Sequence, residues 1–201
     1  YIAKAFQYAH EADPAAELYY NDYSLPNPAK RDGAVRLVQR LQEQGIPVHG
    51  IGMQGHYKMD WPSAEDLDAA ITAFAGLGVD VMITELDIDV LPRATGGQSA
   101  DIAQNAALRD ELNPYADALP DAVQQALADR YAGLFDVFLR HRDDVSRVTF
   151  WGVADGDSWL NNWPVRGRTA YPLLFDRSGL PKPAFDAVIR TVGRPVTKKN
   201  P

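Results

Sequence analysis

Val79-Asp80-Val81-Met82-Ile83-Thr84-Glu85-Leu86-Asp87-Ile88 decides the fold. Val79 to Ile83 is a β-favouring run, apolar but for Asp80, without the strict alternation of a strand that has one wet face. It predicts a strand covered on both sides, as in parallel sheets whose crossover helices lie over both faces. The flanks agree. Upstream, Ser63 stands where a helix would be capped, and Glu65 and Asp66 suit the positive end of the dipole. Leu67, Ala70, Ile71 and Phe74 then repeat at helical spacing. Downstream, a helix over about Asp121–His141 carries Val123, Leu127, Tyr131, Leu134 and Phe138 at steps of three and four.

The same unit recurs in both directions. Leu18–Tyr20 reads as a buried strand, and Asn27-Pro28 opens a helix with Ala34, Leu37, Val38 and Leu41 inward, ending at Gly45. Val48–Gln54 and Val148–Trp151 are the other strands. A leading helix over 1–12 presents Ile2, Ala5, Phe6 and Ala9 on one face, and a last helix carries Phe185, Val188, Ile189 and Val192. The first three strands recur about every 31 residues, the length of one βα unit. Four units plus a leading helix suffice for a doubly wound sheet, while a closed eight-stranded barrel takes about 250 residues. Long irregular stretches are expected over 90–119 and 155–180.

The composition is that of a folded domain, with 46% hydrophobic and 23% charged residues in 201. A net charge of −7 argues against a nucleic-acid partner, and the one basic pair, Lys198-Lys199, suits a solvated tail. No apolar run approaches the roughly 18 residues of a membrane span. Without cysteine there is neither a disulfide scaffold nor a Cys-zinc site. No phosphate-cradling glycine loop follows a strand into a helix, so no nucleotide cofactor is expected. Gly50-Ile51-Gly52 lies within a strand, where glycine marks close backbone packing. A serine-hydrolase elbow is also missing.

In parallel architectures the chemistry gathers at the carboxyl ends of the strands. Those ends read Asn21-Asp22-Tyr23, Gln54-Gly55-His56, Glu85-Leu86-Asp87 and Trp151-Gly152-Val153-Ala154-Asp155, a polar cleft. Glu85 follows the buried run directly and is the sharpest candidate. Burial disfavours a charged carboxyl and a donor favours it, so a neighbouring His56 would hold Glu85 ionised as a nucleophile. Asp87 points to the same side of an extended chain and would orient His56. A buried ion pair joining two strand ends is the structural alternative. His10, His49 and His141 carry little functional weight, the first and last being expected at exposed helical positions. Tyr23, Trp61, Trp151, Trp159 and Trp163 fall in or beside the strand-end loops. Aromatic faces stack on sugar C–H faces while Asn, Gln and Asp bind hydroxyls, which suits an oligosaccharide. Trp163, beside Pro164, reads better as a loop anchor.

The segments Tyr20-Asn21-Asp22-Tyr23, His49-Gly50-Ile51-Gly52-Met53-Gln54-Gly55-His56, Ile83-Thr84-Glu85-Leu86-Asp87-Ile88 and Val148-Thr149-Phe150-Trp151-Gly152-Val153 resemble glycoside hydrolase family 10, the retaining endo-β-1,4-xylanases. Ser158-Trp159 and Pro172-Leu173-Leu174-Phe175-Asp176 are similar to that family's last loop. The resemblance implies a (β/α)8 TIM barrel in the α/β class, with this chain supplying strands five to eight. Residues 1–201 would be the C-terminal part of one catalytic domain, and 194–201 a flexible tail. It also implies Glu85 as nucleophile, His56 bonded to it and Asp87 steadying His56. Asn21, Tyr23 and Gln54 would line the cleft, and Trp151 and Trp159 would wall the subsite of the glycosyl-enzyme.

The family's acid/base glutamate lies in an Asn-Glu pair, and no such dipeptide occurs here. The expectation is therefore that the partner carboxyl belongs to an N-terminal half of the barrel, and that the chain alone is inactive. An isolated half would also expose its edge strands and fail to remain a stable monomer. Xylan or xylo-oligosaccharide is the implied substrate, secreted or periplasmic the implied location, and no cofactor or metal is called for. The competing readings are an inactive fragment that at most binds xylan, and a metal-dependent barrel hydrolase using His56, Glu85 and Asp87 as ligands.

Overall fold

The computed structural model describes residues 1–94 and 109–194. Two compact units are present, one built from Tyr1–Asp87 with Val137–Phe150, the other from the described residues of Ile88–Asp136 and Trp151–Pro201. Among the described residues no helix is long and apolar enough to cross a membrane.

The first unit holds the parallel sheet. Strand β1 (Tyr19–Asp22) pairs with β2 (Gly50–Met53), β2 with β4 (Asp80–Asp89), and β4 with β5 (Val145–Phe150), all parallel. A short β3 (His56–Lys58) completes the sheet beside β4. Every residue of β2 is buried, as expected of a strand covered on both faces. Gly50 and Gly52 are required there by close approach. A Cβ on Gly50 would collide with the Tyr19 ring, and one on Gly52 would lie 2.6 Å from Asn21 Oδ1.

Helices follow the strands as expected. Helix α2 (Pro28–Glu43) is capped by the Asn27 side chain, which accepts from the Ala29 and Lys30 amides. It buries Ala34, Val38 and Leu41, with Leu37 half-buried, and the chain leaves it through Gly45 at φ 66°. Helix α3 (Ala64–Ala75) is capped by Ser63 accepting from the Asp66 amide, and buries Leu67, Ala70, Ile71 and Phe74 as the spacing predicts. Each cap contributes about 1 kcal/mol. Helix α4 (Asp121–Arg140) buries Leu127, Tyr131, Leu134 and Phe138 and leaves Val123 half-buried.

Several expectations need correction. The strands begin or end one to three residues away from the boundaries read in sequence. Strand β4 is the larger miss: it runs on through Glu85 and Asp87 to Asp89 instead of ending at Ile83. The Glu85 amide donates to the Gln54 carbonyl (2.7 Å) and the Asp87 amide to that of Gly55 (3.2 Å), so the ladder outlasts the apolar run. The β3 strand was not expected. Helix α1 (Ile2–Ala12) forms, yet none of its residues is buried. Neither His10 nor His141 is fully exposed. His141 lies in the turn after α4, 3.0 Å from Asp68, and His49 accepts the Leu18 amide at 2.8 Å.

The second unit is organised by buried polar groups. Lys182 donates to Asp155 (2.8 Å) and to the carbonyls of Tyr171 and Leu173, while Asp155 also accepts the Leu173 amide. The Asn161 amide donates to the carbonyls of Asp155, Gly156 and Ser158 and accepts from Ala170 and Arg177. Buried Arg168 pairs with buried Asp89 at 3.3 Å. Residues 155–180 therefore have little regular structure and a dense internal network. Helix α5 (Pro183–Val192) is turned from its expected orientation. It buries Ala184, Ala187, Val188 and Thr191, leaves Phe185 half-buried and exposes Ile189 and Val192. Nothing in the structure explains why the bulkier row is left outside. Arg194 pairs with Asp136; the rest of the expected tail, 195–201, lies outside the described residues.

Candidate active site

The first unit brings four of the candidate residues into hydrogen-bonding distance. Gly55, with φ 89°, turns the chain after β2 so that His56 opens β3 beside β4. His56 Nε2 lies 3.1 Å from Glu85 Oε2, and Nδ1 lies 3.0 Å from Asp87 Oδ1. Glu85 and Asp87 are two residues apart on β4, so both carboxylates reach one imidazole from one side of the strand.

Two carboxylates facing the two ring nitrogens favour the imidazole protonated at both. Burial alone pushes His56 towards the neutral form. The bond to and charge of Asp87, then those of Glu85, outweigh it and raise the pKa above the ordinary 6.5. Asp87 is almost completely buried, whereas the Glu85 side chain keeps 15% of its exposure and His56 17%. Asp87 holds the ring, and Glu85 is the carboxylate of the two that a ligand can reach. Both ring nitrogens face carboxylates, so the trio is arranged as an ion-pair cluster.

The other Glu85 oxygen is also held. Asn21 Nδ2 donates to Oε1 at 3.1 Å, and Thr84 Oγ1 donates to Asn21 Oδ1 at 2.8 Å. Asn21 is opposite Gly52 in the ladder, and only a glycine leaves space for its amide. Glu85 is thus a carboxylate fixed at both oxygens, suited to act as nucleophile or base. Gln54 is half-buried next to this cluster through its carbonyl, which accepts the Glu85 amide. Tyr23 follows Asp22 at the end of β1, with Lys30 Nζ 3.2 Å from its ring centroid.

The remaining candidates belong to the second unit. Trp151 is 47% exposed just beyond β5. Trp159 stacks on Trp163 with centroids 4.8 Å apart and planes 18° from parallel, and packs against Leu91, Leu160 and Ala170. That stack supports Trp163 as an anchor for its loop.

Sequence reasoning missed Lys30 and Lys182. A signal existed for both, because each stands at a helix N-terminus, where the macrodipole disfavours a cation. Such a local violation points to a specific partner, here Asp22 for Lys30 and Asp155 for Lys182.

Residues 1–191 match Glycosyl hydrolase family 10. The chain belongs to this family. It is 46% identical over 190 residues to endo-1,4-beta-xylanase A of Xylanibacter ruminicola, covering 94% of this chain and 52% of that protein. It is 42% identical over 189 residues to the beta-1,4-xylanase of Dictyoglomus thermophilum, covering 94% and 49%. Among solved structures, a family 10 endoxylanase from a sugarcane soil metagenome superposes with a TM-score of 0.90 at 46% identity, covering 94% of this chain and 55% of that one. The Thermobacillus composti family 10 xylanase gives 0.81 at 45% identity, covering 94% and 57%. The chain spans about half the length of the relatives it matches. Its strand–helix alternation is that of part of a (β/α)8 barrel, not the doubly wound sheet that four units would also permit.

Proposed function

We propose that this chain carries the nucleophile side of a retaining endo-β-1,4-xylanase that cleaves internal bonds of xylan through a glycosyl-enzyme on Glu85. The single observation that carries the reading is Glu85 held between Asn21 on one oxygen and His56 on the other, with Asp87 behind the imidazole. In the first step Glu85 attacks the anomeric carbon while a second carboxyl protonates the leaving oxygen. In the second step water displaces Glu85, and that second carboxyl takes its proton. Retention needs the two carboxyls about 5–5.5 Å apart. Asp87 does not qualify as the second, because it is buried and committed to His56. The proton donor is therefore proposed to reside in a further part of a longer protein, in keeping with relatives about twice this length. On this reading the chain by itself is inactive, and a polymeric substrate calls for a secreted or periplasmic location.

His56 acts as imidazolium, stabilising the Glu85 carboxylate and, later, its departure from the sugar. Asn21, Tyr23 and Gln54 contact sugar on the first unit; Trp151 and Trp159 supply aromatic faces on the second. The test is the anomeric configuration of the first product released from xylotetraose by the full-length protein, followed by NMR. A β-anomer is expected. An initial α-anomer, or activity removed by a chelator, would overturn the reading.

A further inference from the structure

Lys30 stands in the first turn of α2, where its charge opposes the helix dipole, and its surroundings explain why it is tolerated. Its ammonium has three N–H groups and three partners: Asp22 Oδ1 at 2.7 Å, the Tyr23 carbonyl at 2.6 Å and the Tyr23 ring, 3.2 Å to the centroid. Asp22 is itself pinned, accepting from Tyr20 Oη at 2.7 Å on one oxygen and from the Tyr23 amide at 2.8 Å on the other. Immediately after Tyr23 the chain enters a left-handed conformation at Ser24, φ 54°, which non-glycine residues rarely adopt. The Asn27 amide closes that turn by donating to the Ser24 carbonyl at 3.0 Å. Amide, carbonyl and one ring face of Tyr23 are thus all held from the Asp22–Lys30 side, while the residue remains half-buried.

We propose that Lys30 is a positioning residue for sugar binding. It covers one face of the Tyr23 ring, so that a pyranose is received on the other face only. This rests on the reading of Tyr23 as a sugar-contacting residue. With its three donors spent, Lys30 reaches no substrate hydroxyl and acts through the ring. Its electronic influence runs the other way, because a cation on one face draws π density from the face offered to the sugar C–H groups. Holding the ring and polarising it therefore make opposite predictions for Lys30→Met.

The experiment is a double-mutant cycle in the full-length enzyme with a xylo-oligosaccharide as substrate. Lys30→Met is expected to raise KM about fivefold and leave kcat within about twofold. Lys30→Arg, which keeps a cation over the ring, should recover most of that loss. In a Tyr23→Ala background Lys30→Met should add nothing, whereas a merely structural role would persist there. An unchanged or lowered KM in Lys30→Met, or an equal effect in both backgrounds, would overturn the proposal. An unchanged KM in Tyr23→Ala alone would instead overturn the assignment of Tyr23 to sugar binding.

Discussion

Each unit contains a cation set among carboxylates, and the two clusters behave differently. In the first, His56 lies between Glu85 and Asp87 and the reachable carboxylate keeps some solvent. In the second, Lys182 and Asp155 are sealed, 5% and 1% exposed, and every remaining donor is spent on backbone carbonyls. Burial raises the Asp155 pKa despite Lys182, and lowers that of Lys182 despite Asp155. A pair enclosed in this way is a fastening between distant stretches of chain. The histidine cluster keeps a titratable centre and an accessible edge, which chemistry needs and a fastening does not.

Substitutions in the two clusters should therefore fail in opposite ways. Glu85→Gln in the full-length enzyme is expected to lower kcat by about 10,000-fold and abolish the burst with an activated aryl xyloside. Its urea midpoint should fall only slightly, because Asp87 still faces the imidazole, and a retained burst would remove Glu85 from the nucleophile role. Lys182→Met should do the reverse. Leaving Asp155 buried without its cation costs about 3–5 kcal/mol, read as a lower unfolding midpoint by circular dichroism. Less than about 1 kcal/mol would show that the pair is not the fastening described.

His56→Asn tests the open cluster at intermediate size. Losing a charge-assisted donor to Glu85 should cost about 10- to 100-fold in kcat, with a smaller change in KM. The pH dependence has a defined sign. The folded-state pKa of His56 lies above 6.5, so its stabilising contribution is complete below about pH 6.5 and is lost as pH rises through the raised value. Wild-type stability and activity should both fall on that alkaline side, and the stability component should vanish in His56→Asn. Gly52→Ala tests the support behind Asn21, at about 1–3 kcal/mol of overpacking. The added methyl would press on the Asn21 amide, so kcat should fall with the fold intact by circular dichroism.

The legible features were the local ones. The caps at Asn27 and Ser63 and the buried stripe of α3 follow from spacings of three and four residues, and they form as read. Glu85, His56 and Asp87 were legible as a set because strand ends converge in parallel sheets, and because two residues along a strand restore the same side. The extent of β4 was not legible, since its final rungs are backbone bonds to Gln54 and Gly55 that no side chain announces. The Asp155–Lys182 pair joins positions 27 residues apart across irregular chain, and no periodicity links them. The face of α5 was misread because bulk was taken as the guide to burial, whereas the buried residues are Ala184, Ala187, Val188 and Thr191.

The rungs from Glu85 to Gln54 and from Asp87 to Gly55 also set how this site tolerates change over evolutionary time. Side-chain replacements around His56 should each remove one contact and leave the others in place. The pairing of β4 with β5 already shifts register between Val81 and Met82 and again between Ile83 and Leu86. Loss or gain of a single residue between Asp80 and Thr84 thus has two outcomes: a bulge absorbs it, or the two faces of the strand exchange and both carboxylates leave the imidazole together. Insertions should therefore be accepted more readily in the connections between strands than in this short stretch, where what must be inherited is the register that keeps Glu85 and Asp87 facing His56.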